Sequence, residues 1–154
     1  MAKIKLEEVI DQLEFASDHH YSFFNRKTGE IYVIPEDMEI YYEYDLEADD
    51  YTPKWQKELI LVIKDMKQNP DDYVQFPDRF YINEYSIMKR FCLSLKDEKL
   101  RKIMYRSIKG KGAFRRFKKN IYKYGIADDW YKFKDEALKE LAIQWCKEND
   151  IEYY

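Results

Sequence analysis

The chain has 154 residues, of which 45% are hydrophobic, 18% aromatic and 37% charged, with a formal net charge of −3. That length suits one core, so we expect a single domain over residues 1–154, and the apolar content excludes a disordered chain. Four glycines and four prolines are too few to punctuate a strand-rich sandwich. The two cysteines, Cys92 and Cys146, form no C-x-x-C pair, which excludes a zinc ribbon or a thioredoxin-type motif.

The opening "MAKIKLEEVIDQ" puts acids where a signal peptide needs apolar residues, and the longest aliphatic run, Leu59 to Ile63, is too short to span a bilayer. We therefore expect a cytoplasmic protein that makes no membrane association. Ile4, Leu6, Val9, Ile10 and Leu13 at helical spacing predict a first helix over Lys3–Ala16. In "HHYSFFNRKTGEIYVIP", aromatic and β-branched residues flank a turn in which Gly29 supplies positive φ, which predicts a β-hairpin ending at Pro35. Residues Glu36–Asp50 hold eight acids and no Lys or Arg, and read as an acidic, tyrosine-rich loop with room for a turn of helix.

Thr52 is placed to cap a helix with Pro53 as its first residue and Trp55, Leu59, Val62, Ile63 and Met66 as its inward stripe, ending before Pro70. "DDYVQFP" predicts a short third strand. From Asn83 onward the pattern is helical. Asn83 caps a helix carrying Tyr85, Met88, Phe91, Cys92 and Leu95, and a second runs from Asp97 to Lys109 and closes at Gly110. A third spans Ala113–Tyr124 and closes at Gly125, and the last starts at Asp128 or Asp129 with Trp130, Phe133, Ala137, Leu141 and Trp145 inward. The fold class is α+β: a small antiparallel hairpin or three-stranded sheet near the N-terminus packed on a C-terminal helical bundle.

Charge is segregated along the chain. Lys99–Ala127 contains eleven Lys or Arg and no Asp or Glu. Within it, "KGKGAFRRFKK" fails as a phosphate loop: its glycines are two apart, it lacks Ser and Thr, and a helix precedes it where a P-loop needs a strand. The glycines make a corner between helices. Phe114, Phe117, Ile121 and Tyr124 are assigned to the buried side of the next helix and Tyr122 to the exposed side. Lys111, Arg115, Arg116, Lys119 and Lys123 then form a basic face over residues 111–123. Three readings apply to it: a solvated or salt-bridged surface, pairing with the acidic Glu36–Asp50 segment, or an external anion site.

The stretch Ile108 to Ile151, which contains "KGKGAFRRFKK", resembles the C-terminal part of a bacterial group known as uncharacterised protein family 0158. The resemblance rests on Gly112 to Phe117, Trp130 to Phe133, Trp145 and Ile151, and "TGEIYVIP" resembles the family's N-terminal part. It carries over no activity, substrate, cofactor or catalytic residue. It draws attention to Arg115 and Arg116, which a structural role also explains if they tie Asp128, Asp129 or Asp135.

No catalytic constellation survives inspection. His19 and His20 are adjacent on a predicted strand, where successive side chains diverge, so they do not share a metal, and neither cysteine lies in a nucleophile motif. We expect no cofactor and no metal site. The favoured function is a non-enzymatic interaction module whose protein partner meets Tyr41, Tyr42 and Tyr44 of the acidic segment. The alternatives are nucleic-acid or polyanion binding through the basic helix 111–123, and an enzyme acting on a phosphorylated small molecule.

Overall fold

A computed structural model describes residues 2–154. The order of elements is α1 (Leu6–Phe15), β1 (His20–Asn25), β2 (Ile31–Pro35), α2 (Glu39–Tyr44), α3 (Lys54–Gln68), β3 (Tyr73–Gln75), α4 (Arg79–Ile82), α5 (Glu84–Ser94), α6 (Glu98–Ser107), α7 (Ala113–Lys123) and α8 (Ala127–Glu148). The class is α+β, as the sequence predicts. The chain divides into two compact units, one made of residues up to Arg79 together with Ala142–Tyr154, the other of Phe80–Leu141.

The first unit is built on a sheet of order β2-β1-β3, with both neighbours antiparallel to β1. The hairpin register pairs Phe24 with Ile31 and His20 with Pro35. Its turn is held by the buried Asn25, whose Oδ1 accepts from the Lys27 and Thr28 amides at 2.8 and 3.1 Å, while Gly29 takes φ +80°. A side chain at Gly29 would be strained in that backbone region.

The alternation of β1 sends Phe23 and Phe24 to opposite faces. Phe23 joins a core cluster of Ile34, Met38, Ile60, Ile63 and Met66, whereas Phe24 is fully buried. Both faces of the sheet are thus covered. Elsewhere in this unit Phe76 stacks on Trp145 with centroids 4.7 Å apart, and the Trp145 indole donates to the Gln75 carbonyl at 3.0 Å. The chain ends are stitched by a parallel bridge between Ile4 and Tyr153, so residues 3–5 of the predicted first helix are not helical.

The middle of this unit differs from expectation in extent and in capping. The turn of helix allowed within Glu36–Asp50 is present and longer than one turn: a 3₁₀ turn over Glu36–Met38 runs into α2. Met38 is buried there and Tyr41 packs on the core cluster, which supplies the apolar anchor the local sequence pattern hid. Thr52 does not cap α3. Its hydroxyl bonds Asp49, and Pro53 itself is the N-cap. Rotating the stripe accordingly, Ile60, Ile63 and Met66 are buried and Trp55 is 54% exposed.

The second unit is helical. Asn83 and Asp97 cap α5 and α6 by accepting from the Ser86 and Leu100 amides, as their side chains predict. Its core is a ring cluster in which Phe91 meets Phe117, Trp130 and Phe133 edge-on at 5.4 to 6.1 Å, and Phe117 meets Trp130 at 4.7 Å. Such tilted contacts place ring edges against ring faces and add to simple burial. Gly125, at φ +67°, closes α7, and the Ile126 amide reaches back to the Ile121 carbonyl at 2.8 Å, the double-back bond of a Schellman end. α8 begins at Ala127, one residue before the predicted start.

Candidate functional site

Two surfaces hold the predicted site residues, one in each unit. In the first unit α2 lies beside α3, and between them and the sheet opens a groove of about 330 Å³ lined by Tyr21, Phe23, Met38, Tyr42, Ile63 and Met66, with Glu39 on its rim. The lining is apolar because α3 turns Ile63 and Met66 toward the sheet while β1 presents Phe23.

The three tyrosines predicted to meet a partner separate by role. Tyr42 lines the groove and is 48% exposed, and the Lys67 ammonium lies 5.5 Å from its ring centre. Tyr44 is exposed. Tyr41 is half-buried, with its hydroxyl accepting from Gln56 Nε2 at 3.3 Å. Around them Ile40, Leu46, Tyr51 and Trp55 are also exposed.

Two acids of this segment pair with lysines of α3. Glu47 meets the Lys64 ammonium at 2.5 Å, and Asp45 meets that of Lys67 at 3.4 Å. Asp37, Glu39, Glu43 and Asp50 have no ion pair among the described residues. The segment therefore keeps unpaired acids, of which Glu39 borders the apolar groove. The groove residues from β1, β2 and α3 escaped the sequence reading, since each looks like ordinary core until the uncovered flank of α2 is seen.

In the second unit, α7 buries Ala113, Phe117 and Ile121 and turns Arg115, Lys118, Lys119, Tyr122 and Lys123 outward. Phe114, assigned to the core from its spacing, is 54% exposed and tilts against Tyr85 at 6.4 Å. On a helix it sits 60° around from Phe117, at the margin of the covered stripe. Tyr122 is exposed as predicted, and its hydroxyl is 2.8 Å from that of Tyr131. That bond pushes the Tyr122 phenol upward, and the nearby Asp128 carboxylate adds to it.

Arg116 does not tie a carboxylate. Its guanidinium donates to the carbonyls of Ser107 at 2.8 Å, Lys109 at 2.5 Å and Lys111 at 2.5 Å. Those carbonyls belong to the end of α6 and the corner after it, where helical partners run out. Gly112 enters α7 at φ +80°, and a Cβ there would sit 3.1 Å from the Arg116 guanidinium. Arg116 and Gly112 thus build the corner together. Lys111, Arg115, Lys119 and Lys123 have no carboxylate in ion-pair range among the described residues.

The other chemistry-bearing groups stay apart. His19 lies 3.6 Å from Glu36, and His20 packs on Phe15 with ring centres 4.8 Å apart. Burial pushes the Cys92 and Cys146 thiols up to about 11. Asp65 is held below the usual carboxylate range by hydrogen bonds from Tyr73, at 2.5 Å, and Asn69. Among the described residues no three His, Cys, Asp or Glu side chains gather closely enough to hold a metal ion, and no helix is long and apolar enough to cross a membrane.

Residues 2–154 match the model of the Uncharacterised protein family (UPF0158). The chain belongs to this family. A UPF0158 protein of Pseudomonas aeruginosa is 25% identical over 67 residues, a match covering 43% of this chain and 44% of that protein. The chain thus matches under half the length of this curated UPF0158 relative. No solved structure matches. The family membership expected from Gly112–Phe117, Trp130–Phe133, Trp145 and Ile151 is therefore borne out.

Proposed function

We propose that the protein is a non-enzymatic interaction module whose groove beside α2 receives a basic, amphipathic segment of a protein partner. The observation that carries this reading is the apolar groove of about 330 Å³ bordered on one side by the acidic segment, with Tyr42 and Glu39 in its lining. An apolar side chain of the partner would fill the floor, and Lys or Arg on either side would meet Asp37, Glu39 and Glu43. Charge complementarity of this kind raises the association rate and sets the register more than it adds raw affinity. Tyrosines at the rim add contact area at little entropic cost.

A binding role fits the lining better than a catalytic one. The titratable groups of the groove are Glu39 and two tyrosines, which supply no paired acid and base. Two unpaired, buried thiols suit a reducing, cytoplasmic compartment.

The test is a heteronuclear NMR titration with a synthetic helical peptide bearing leucines on one face and lysines on the other. Shift changes confined to Tyr42, Ile63, Met66 and their neighbours support the reading. A Glu39→Lys, Glu43→Lys variant, both at exposed positions, should weaken that peptide at least tenfold. No shift at millimolar peptide, or equal affinity for the variant, overturns it.

A further inference from the structure

The outer face of α7 is a second site, separate from the groove, and we infer that it binds single-stranded nucleic acid, with phosphates on Arg115 and Lys119 and a base on the Tyr122–Tyr131 pair. Arg115, Lys119 and Tyr122 fall at i, i+4 and i+7, which aligns them in one outward stripe opposite the buried Ala113, Phe117 and Ile121. Lys118 and Lys123 flank that stripe. None of these cations has a carboxylate in ion-pair range among the described residues. Arg115 with Lys119, and Lys119 with Lys123, are like-charge pairs four residues apart, an arrangement unfavourable for an isolated helix. A polyanion removes that repulsion.

The positive charge is not uniform in its use, which sharpens the assignment. Arg116 is spent on the carbonyls of Ser107, Lys109 and Lys111, and Lys102 pairs with Glu98 at 3.3 Å. Arg115, Lys118, Lys119 and Lys123 are unpaired among the described residues, on the same helix as the exposed Tyr122. Tyr122 and Tyr131 are 58% and 44% exposed, with their hydroxyls 2.8 Å apart. Exposed rings amid unpaired cations match the combination of stacking platform and charged track that unpaired bases require. A paired duplex hides its base faces and leaves the tyrosines without a role. An anionic lipid surface fits less well, because α7 has already buried its apolar side and has none to insert. Asp128, near enough to Tyr122 to raise its phenol, marks the border of the positive face toward α8.

The experiment is fluorescence anisotropy of labelled 20-nucleotide single-stranded RNA and DNA, a 20-base-pair duplex and inorganic polyphosphate, at about 50 and about 200 mM salt. We expect single strands to bind, with Arg115→Ala, Lys119→Ala lowering the slope of log affinity against log salt by roughly 1.4, the loss of two phosphate contacts. Tyr122→Ala should weaken binding roughly tenfold or more, while Tyr122→Phe, which keeps the ring, should bind like wild type. Circular dichroism of each variant confirms its fold, and preference between RNA and DNA then specifies the ligand. Absence of binding at about 50 mM salt overturns the inference. So does equal affinity for polyphosphate or duplex, or a Tyr122→Ala variant with unchanged affinity, since each removes the unpaired base from the recognition. Glu39→Lys, Glu43→Lys should leave the oligonucleotide affinity of the α7 face unchanged, and a loss there also counts against an independent site.

Discussion

Arg116→Ala removes three hydrogen bonds from a charged donor to the carbonyls of Ser107, Lys109 and Lys111, and its cost can be worked from their surroundings. A hydrogen bond to a charged group contributes about 1.5–3 kcal/mol, and the partly buried bond to Ser107 belongs in the lower part of that range. The other two are exposed, so water replaces much of each and they add only a few tenths to about half a kcal/mol apiece. The sum is about 2–3 kcal/mol, or a melting temperature lowered by roughly 5–10 °C for a chain of this size. Arg115→Ala, one residue away and outside this network, should stay within about 0.5 kcal/mol of wild type. Arg116→Lys should recover less than half of the loss, because one ammonium cannot span three carbonyls fixed by a planar fork. Urea unfolding followed by circular dichroism gives the stabilities, and amide exchange in α6 and α7 gives the local readout. If Arg116→Ala proves as stable as Arg115→Ala, the guanidinium is not what holds the corner.

Three further outcomes are expected. Phe117→Ala, which empties a position touching Phe91 and Trp130, should cost about 3–5 kcal/mol, whereas Phe114→Ala should cost under about 1 kcal/mol; equal losses in urea unfolding would contradict the orientation of α7. Tyr73→Phe should move the Asp65 carboxyl pKa upward in a ¹³C titration, since the Tyr73 hydroxyl is the first cause of its depression. A carboxylate depressed in the folded state stabilises above its ordinary pKa of about 3.9 and loses that contribution as pH falls through the folded value, so the variant should show a shallower loss of stability below about pH 4. Native Cys92 and Cys146, with thiols pushed up to about 11 by burial, should resist a disulfide reagent at pH 8 and react fully in denaturant; rapid labelling of the native protein would show that one of them is accessible.

Much of the secondary structure was legible because its signals are local. Asn83 and Asp97 offer an acceptor to amides three residues on, Gly29 and Gly125 take a backbone region closed to most side chains, and the aromatic runs around "NRKTGE" pair with each other across a short turn. Backbone sterics and neighbouring hydrogen bonds decide these features, and both are written in a few consecutive residues. The segregation of charge between Glu36–Asp50 and Lys99–Ala127 was equally plain.

What the chain could not declare by itself is which flank of each element is covered. Phe114 and Phe117 have similar claims on the inner side of α7, and only the positions of Phe91 and Trp130 decide for Phe117. Trp55 loses its predicted burial because α3 turns Ile60 inward. Arg116, placed on a basic face open to acids or to an external anion, instead meets the carbonyl of Ser107 in α6 and those of Lys109 and Lys111 in the corner after it, and the groove exists only because α2 and the sheet leave the flank of α3 open. Local preference sets whether a segment coils or extends; burial and pairing depend on neighbours brought from distant sequence, so the sites were decided by the tertiary structure.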